Sequence, residues 1–323
     1  MGGSDHMGRL RSASGTSIGQ VRENNEDNVQ LWIQDRFVVA VVADGMGGAV
    51  AGEQASQIAV EAIQAVYSRV SGDPPALDQR PDDQIVSLMV EAIRRANSNI
   101  LHRASDEPSL RGMGTTMTVA FVRPNRALVA HVGDSRAYMV DSRTRRITQI
   151  TADHSFVEAL VAAGHLTHEQ AEDHPMRNVL YRALGQNEEL DIDVYEIRLR
   201  YGDRIVMCSD GLTHHVKAPE IATIVSEEND PDRACQRLID LTNARGGEDN
   251  VSVVVIMSDI GLSERAAVEL ASLDLNIDDT IVLKNTRSTN ELEVLPMHDE
   301  ETLPGILNPF IPPASPLPPQ RSG

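Results

Sequence analysis

Acidic residues recur at the ends of apolar runs, and that placement points to chemistry. The run "FVVAVVADGMGG", residues 37–48, ends in Asp44 among glycines. "IVMCSDG" ends in Asp210 and Gly211, and "AHVGDSR" carries Asp134 between two strand-like runs. "GGEDN" puts Asp249 just ahead of the apolar "NVSVVVIM", and "RENNED" offers Glu26 and Asp27 ahead of "VQLWI". Alone, each aspartate reads as a turn residue or a cap, since Asp-Gly is a common turn dipeptide. Together they are carboxylates at the mouths of apolar strands, and they would repel one another unless a cation sat among them. Oxygen-only donors suit Mg²⁺ or Mn²⁺, hard ions that keep several waters. Zinc is disfavoured because no Cys/His ligand spacing exists: "HSFVEALVAAGH" is not H-E-x-x-H.

The elements that would position these groups follow from periodicity. Residues 37–43 form a continuous apolar run, which predicts a strand buried on both faces. "AGEQASQIAVEAIQAVYSRV" and "DDQIVSLMVEAIRRANSNILHRA" repeat apolar residues at helical spacing and predict amphipathic helices, with a loop at "SGDPPALDQRP" between them. "TTMTVAFV" and "RALVAHVGDSRAYMV" predict strands joined by a hairpin at Arg123-Pro124-Asn125. "IDVYEIRL" and "DRIVMCSD" predict a further pair of strands around Gly202. "APEIATIVSE" and "DRACQRLIDLTNA" predict helices, and "NVSVVVIM" a last buried strand. Strands and helices fall in groups, which favours antiparallel sheets with helices outside over a doubly wound parallel sheet.

Composition bounds the function. A net charge of −19 argues against a nucleic-acid partner, since phosphate backbones want Lys and Arg. Two cysteines, Cys208 and Cys235, give no disulfide framework and fit a cytoplasmic protein. No apolar run approaches the length of a membrane span. "MGGSDHM" at residues 1–7 reads as a cloning scar and is left out of fold reasoning. One catalytic-sized domain is expected over residues 9–260. Beyond it the chain turns acidic and then proline-rich, with half of the 16 prolines after residue 295. Residues 261–323 are therefore expected to be a flexible tail, because such composition buries too little apolar surface to offset the entropy of ordering.

The order of motifs resembles a known family. "VRENNED", "VVADGMGG", "GMGTT", "AHVGDSRAY", "ITADHS", "HPMRNVLYRALG", "CSDGL" and "GGEDNVSVVV" run in sequence over roughly residues 15–258. They resemble the bacterial branch of the metal-dependent PPM, or type 2C, Ser/Thr protein phosphatases. The resemblance implies an α+β fold, a four-layer α-β-β-α sandwich of two antiparallel sheets flanked by helices. It implies two Mn²⁺ or Mg²⁺ ions, with a weaker third in bacterial members. Asp44 would bridge both ions, and Gly45 would give one of them its carbonyl. Asp210 and Asp249 would bind the other, and Asp134 with Asp210 would hold the third. Glu26 and Asp27 match the family's acidic pair, Glu26 acting through bound water. Arg22 stands where the family places its phosphate-binding arginine, whose planar fork grips two oxygens. The implied reaction is in-line attack on a phosphoserine or phosphothreonine phosphorus by a metal-bridging hydroxide, without a phosphoenzyme. Met46 stands where eukaryotic members often carry a histidine.

Two rivals compete with this reading. A nucleotide-binding loop would need Gly where Val50 stands, and there is no G-K-[ST]. A phosphatase-fold signalling scaffold is the second, countered by the presence of every matched carboxylate. The expected partners are phosphorylated proteins, including a eukaryotic-like Ser/Thr kinase, met by a monomeric enzyme. "NIDDTIVL" and "HDEETLPGI" in the tail share acidic residues, then Thr280 or Thr302, then apolar residues. Both threonines are candidate regulatory phosphosites, with Leu283 three places after the first, and a forkhead-associated domain is a candidate reader.

Overall fold

The computed structural model describes residues 9–71, 76–259, 281–286 and 293–294. Thirteen strands and seven α-helices follow one another in it. The strands are β1 (Arg9–Ser17), β2 (Asp27–Ile33), β3 (Val38–Met46), β4 (Gly114–Thr115), β5 (Met117–Arg123), β6 (Arg126–Val132) and β7 (Arg136–Asp141). They continue with β8 (Arg146–Gln149), β9 (Ile192–Arg198), β10 (Asp203–Cys208), β11 (Val251–Asp259), β12 (Ile281–Thr286) and β13 (Glu293–Val294). The helices are α1 (Ala49–Ser71), α2 (Asp82–Asp106), α3 (Phe156–Ala162), α4 (His168–Glu172), α5 (Asp210–His215), α6 (Ala218–Glu227) and α7 (Pro231–Ala244). One sheet runs β1-β11-β10-β7-β8, the other β13-β12-β9-β6-β5-β3-β2, with β4 paired to the end of β3. Every pairing within the two sheets is antiparallel.

Three apolar layers separate four structural ones, and β3 shows why. Val39, Val41 and Ala43 face α1 and α2, where they pack with Ala55, Ile63, Ile93 and Ile100. Val38, Ala40 and Val42 alternate to the other face and pack with Met139, Ile205, Val254 and Ile256 of the opposite sheet. A strand covered on both faces needs no polar positions, hence the unbroken apolar run. The third layer lies between the five-stranded sheet and α5–α7, around Val206, Val255, Ile221 and Leu238. Each fully buried valine or isoleucine contributes roughly 1.5–3 kcal/mol. The expected α-β-β-α sandwich of two antiparallel sheets is the architecture observed.

The long helices bury the faces their spacing implies. In α2, Ile85, Met89, Ala92, Ile93, Ala96 and Ile100 recur at three- and four-residue steps and are buried. Its first turn carries Asp82 and Asp83, which oppose the positive helix end. Asp82 also receives Arg123 at 2.7 Å and Arg126, one on each flank of the β5–β6 hairpin.

One sequence expectation needs correction, and two strands lie where none was expected. β9 and β10 do not pair with each other: β9 joins β6 and β12, and β10 joins β7 and β11. The link between them crosses from one sheet to the other. Leu199 N–H donates to Asn125 O on one side and Gly202 N–H to Ser258 O on the other. β1 had no expectation attached to it, because "RLRSASGTS" is built of small and polar residues. Its nine-residue register with β11 makes it a strand. Within the stretch expected to be a flexible tail, Ile281–Thr286 pairs with Ile192–Ile197 along the free edge of β9. That edge offers a row of unpaired backbone groups, and the backbone of Ile281–Thr286 satisfies them.

Candidate metal centre

The strand ends gather as the sequence implied. Arg22, Glu26, Asp44, Gly45, Asp134, Asp210 and Asp249 line one cavity of about 240 Å³, together with Met46, Thr116, Asn178, Leu180 and Asn250. Asp27 does not line it but stands directly opposite Asp44 in the β2–β3 register. Asp44 and Asp134 come from opposite sheets, at the end of β3 and just before β7. Asp210 opens α5, and Asp249 precedes β11. The expected site residues of the domain are thus all brought together. Thr280 and Thr302 lie outside the described residues.

Electrostatics mark the cavity as a place for positive charge. Burial, and then the charges of Asp27, Asp210, Asp134 and Asp249, hold the Asp44 carboxyl well above the usual range. Asp134 is raised likewise, by burial and then by Asp210 and Asp153. Burial pushes Asp27 up to about 7 against the hydrogen bond from Ser209. Glu26 is raised by burial, with Arg22 opposing. Asp27 Oδ2 accepts from Ser209 Oγ at 2.7 Å, but Asp27 Oδ1 is buried without a partner. A buried orphan oxygen beside mutually repelling carboxylates is the chemistry a hard divalent cation satisfies. Among the described residues no three acidic, histidine or cysteine side chains already converge on one point. The carboxylates instead line an open wall, a donor set for ions that complete their shells with water. The residues present fit Mg²⁺ or Mn²⁺.

Backbone geometry fixes these oxygens. Gly45 N–H donates to Glu26 O at 3.2 Å, and a Cβ at Gly45 would meet Gly52 O at 2.1 Å. Only glycine permits that approach. Asp44 is clamped by two threonines. Its N–H donates to Thr116 Oγ1 at 3.0 Å, and its carbonyl accepts from Thr115 Oγ1 at 2.9 Å and Thr116 N–H at 2.8 Å. Thr116 Oγ1 also pairs with Ser135 Oγ at 2.7 Å, next to Asp134. Asn250 accepts from Glu26 N–H at 2.8 Å and donates to the carbonyls of Ile18 and Asn24 at 2.9 Å each. Thr115 and Thr116 read from the sequence as structural residues that begin a strand, and here they clamp Asp44. Ser135, Ser209 and Asn250 carried no such reading: they sit inside the motifs "GDSR", "CSDG" and "GEDN", but no spacing rule marks a hydroxyl or amide as a support.

Arg22 stands at the cavity mouth, half exposed, with its guanidinium 2.8 Å from Asp249 Oδ2. Cys208 is buried, and burial pushes its thiol up to about 12, so it is no nucleophile. His174 lies in the segment near the cavity and accepts from Met176 N–H at 3.1 Å. His154 is fully buried, not solvated as a loop histidine would be, and it does not line the cavity. His131 beside it is kept neutral chiefly by burial, its imidazole pushed down to about 3. Among the described residues no helix is long and apolar enough to cross a membrane.

Comparison with known proteins converges on one group. The family model described as Protein phosphatase 2C matches residues 14–265. The serine/threonine phosphatase stp of Listeria monocytogenes is 33% identical over 253 residues, covering 78% of this chain and 97% of that one. A crystal structure of the Mycobacterium tuberculosis serine/threonine phosphatase PstP/Ppp superposes with a TM-score of 0.67 at 37% identity, covering 77% of this chain and 99% of that one. A structure of the PstP catalytic domain in complex with two manganese ions gives a TM-score of 0.65 at 36% identity, covering 77% and 97%.

Proposed function

Since the chain belongs to the protein phosphatase 2C family and is a serine/threonine protein phosphatase, we propose that it removes phosphate from phosphoserine and phosphothreonine with two Mn²⁺ or Mg²⁺ ions and no phosphoenzyme. The observation that carries this reading is the convergence of Asp44, Asp134, Asp210 and Asp249 on one cavity with Arg22 at its mouth. Asp44 and the Gly45 carbonyl would serve one ion, and Asp44, Asp210 and Asp249 the other. Asp27 and, through water, Glu26 would complete the set, and Asp134 with Asp210 would hold a weaker third ion. When bound, such ions supply Lewis acidity and make hydroxide available near neutral pH.

The chain's own residues do the rest. Arg22 can grip two oxygens of the entering phosphate and neutralise charge that builds on them. Thr115, Thr116 and Asn250 hold the acidic backbone in place, so little reorganisation remains at the moment of reaction. Met46 offers no proton to the leaving oxygen, so that proton must come from water.

The natural substrates are phosphorylated proteins, a eukaryotic-like Ser/Thr kinase among them, and the enzyme acts as a cytoplasmic monomer. The domain spans residues 9–260, and the acidic, proline-rich remainder serves as a tail. Thr280, and Thr302 less well because Gly305 follows it at the third place, would be phosphorylated and read by a forkhead-associated domain. The test is hydrolysis of a phosphothreonine peptide by chelator-treated protein, with and without added Mn²⁺. Metal-restored turnover is expected. Protein inert in every divalent metal would favour the scaffold reading instead.

A further inference from the structure

We infer that His154 is a positioning residue that fixes the Gly133–Asp134 turn and ties it to the segment running through Leu180 to Arg182. The inference rests on the phosphatase reading of Asp134. Gly133 immediately precedes Asp134 and has φ +113°, in the region that favours glycine, and a Cβ there would meet Thr116 at 2.5 Å. Its peptide groups are held on both sides. Gly133 N–H donates to His154 Nδ1 at 3.0 Å. Gly133 O accepts from His154 N–H at 2.8 Å and from His131 Nε2 at 3.0 Å.

The first of these bonds decides the tautomer. An Nδ1 that accepts carries no hydrogen, so the proton sits on Nε2. It is donated to Asp193 Oδ2 at 3.1 Å. Arg182 Nη1 lies 3.0 Å from Nε2, yet two N–H groups do not bond to each other. Arg182 finds its acceptor at Asp193 Oδ1, 2.9 Å away. The ring is therefore braced from behind by an anchored carboxylate, as orienting carboxylates brace functional imidazoles elsewhere.

The backbone of the same residue reaches a second segment that lines the cavity. His154 O accepts from Tyr181 N–H at 3.0 Å, and Ser155 forms a bridge with Leu180. Leu180 and Asn178 line the same cavity as the carboxylates. One residue thus joins the turn that presents Asp134 to a second segment that lines the cavity. His154 is 1% exposed and uses both ring nitrogens. A site that needed only bulk would take leucine and avoid the desolvation of a polar ring.

Two variants separate positioning from packing. His154→Asn places an acceptor where Nδ1 stands and keeps the bond from Gly133. His154→Gln reaches toward Asp193 and abandons Gly133. Both are polar and smaller than histidine, so stability is measured beside activity. Three quantities are measured on the full chain: hydrogen exchange at the Gly133 amide, Mn²⁺ titration, and kcat and KM on a phosphothreonine peptide. The expected result is at least tenfold faster Gly133 exchange in His154→Gln. Its kcat falls to within about threefold of that of Asp134→Ala, and KM stays within twofold of wild type. Its Mn²⁺ titration loses only the weakest site, and His154→Asn stays close to wild type throughout. Combining His154→Gln with Asp134→Ala should then cost little more than either change alone, because both remove the same support. Unchanged Gly133 exchange in His154→Gln overturns the inference. So do equal losses in both variants that track their melting temperatures. Wild-type protein inert toward the peptide would refute the phosphatase reading, and the exchange experiment would still decide the role of His154.

Discussion

Thr116→Val removes one hydroxyl and keeps the shape of the side chain, so it isolates what that hydroxyl holds. Thr116 is buried at 1% exposure. Its Oγ1 accepts from Asp44 N–H at 3.0 Å and pairs with Ser135 Oγ at 2.7 Å. Valine leaves the Asp44 amide without that acceptor and takes a partner from Ser135. A buried polar group left unsatisfied costs about 1–3 kcal/mol. In a domain of this size each kcal/mol moves the melting temperature by about 2–4 °C, so a fall of roughly 2–12 °C is expected in calorimetry. The Asp44 carboxylate rides on the released peptide. A shift of about 1 Å at a reacting centre can cost on the order of 100-fold, so kcat should drop about 10- to 100-fold with KM nearly unchanged. Thr116→Ser is the control. It restores the hydroxyl and loses only the methyl that packs against Gly133, so kcat should recover while about 1 kcal/mol of stability does not. Full kcat in Thr116→Val, or serine performing no better than valine, would refute the reasoning.

Other perturbations have defined outcomes. Arg22→Ala should mainly raise KM, with a loss of about 1–3 kcal/mol in kcat/KM, because a charge-assisted grip on phosphate acts in ground and transition states alike; unchanged KM would place Arg22 away from the phosphate. Asp203 is raised to about 6, chiefly by burial, with the Arg200 amide opposing and Asp141 adding. The folded chain therefore holds its proton longer than the unfolded one, and the contribution is present at low pH and lost as pH rises from about 4 through 6. Asp203→Asn should gain stability over wild type across that window, by at most about 3 kcal/mol at pH 7, and a pH-independent difference in urea midpoints would contradict this. Thr280 should accept phosphate from a Ser/Thr kinase, and its phosphopeptide should bind a forkhead-associated domain more tightly than the plain peptide; equal binding of the two would reduce the motif to a spacer.

The fold was legible wherever one physical rule acted alone. β3 announced itself because both faces are covered, and α1 and α2 because one face is. The legible part of the site was its charge, since a carboxylate at the end of an apolar strand breaks the pattern around it. What stayed hidden depends on partners distant in sequence. β1 is a strand only because β11 pairs with all nine of its residues. β9 and β10 resemble a hairpin around Gly202, but bonds to Asn125 and Ser258 send them into different sheets. Ser135, Ser209 and Asn250 have ordinary side chains, and their use appears only when a segment from elsewhere arrives beside them. His154 gives no signal of its own in the sequence, because its partners Gly133 and Asp193 lie 21 and 39 residues away. Within the tail, composition outweighed a short β-branched run, and Ile281–Thr286 found the open edge of β9.

The most direct test of the two-ion account is Mn²⁺ stoichiometry, read by calorimetry and by anomalous scattering from crystals, in wild type and Asp44→Asn side by side with phosphopeptide turnover. Two strongly held ions in wild type, their joint weakening in Asp44→Asn and the loss of turnover with them are the expected result, because in this account one carboxylate would serve both cations. Retention of both ions by Asp44→Asn, or undiminished turnover in chelator-treated wild type, would contradict it.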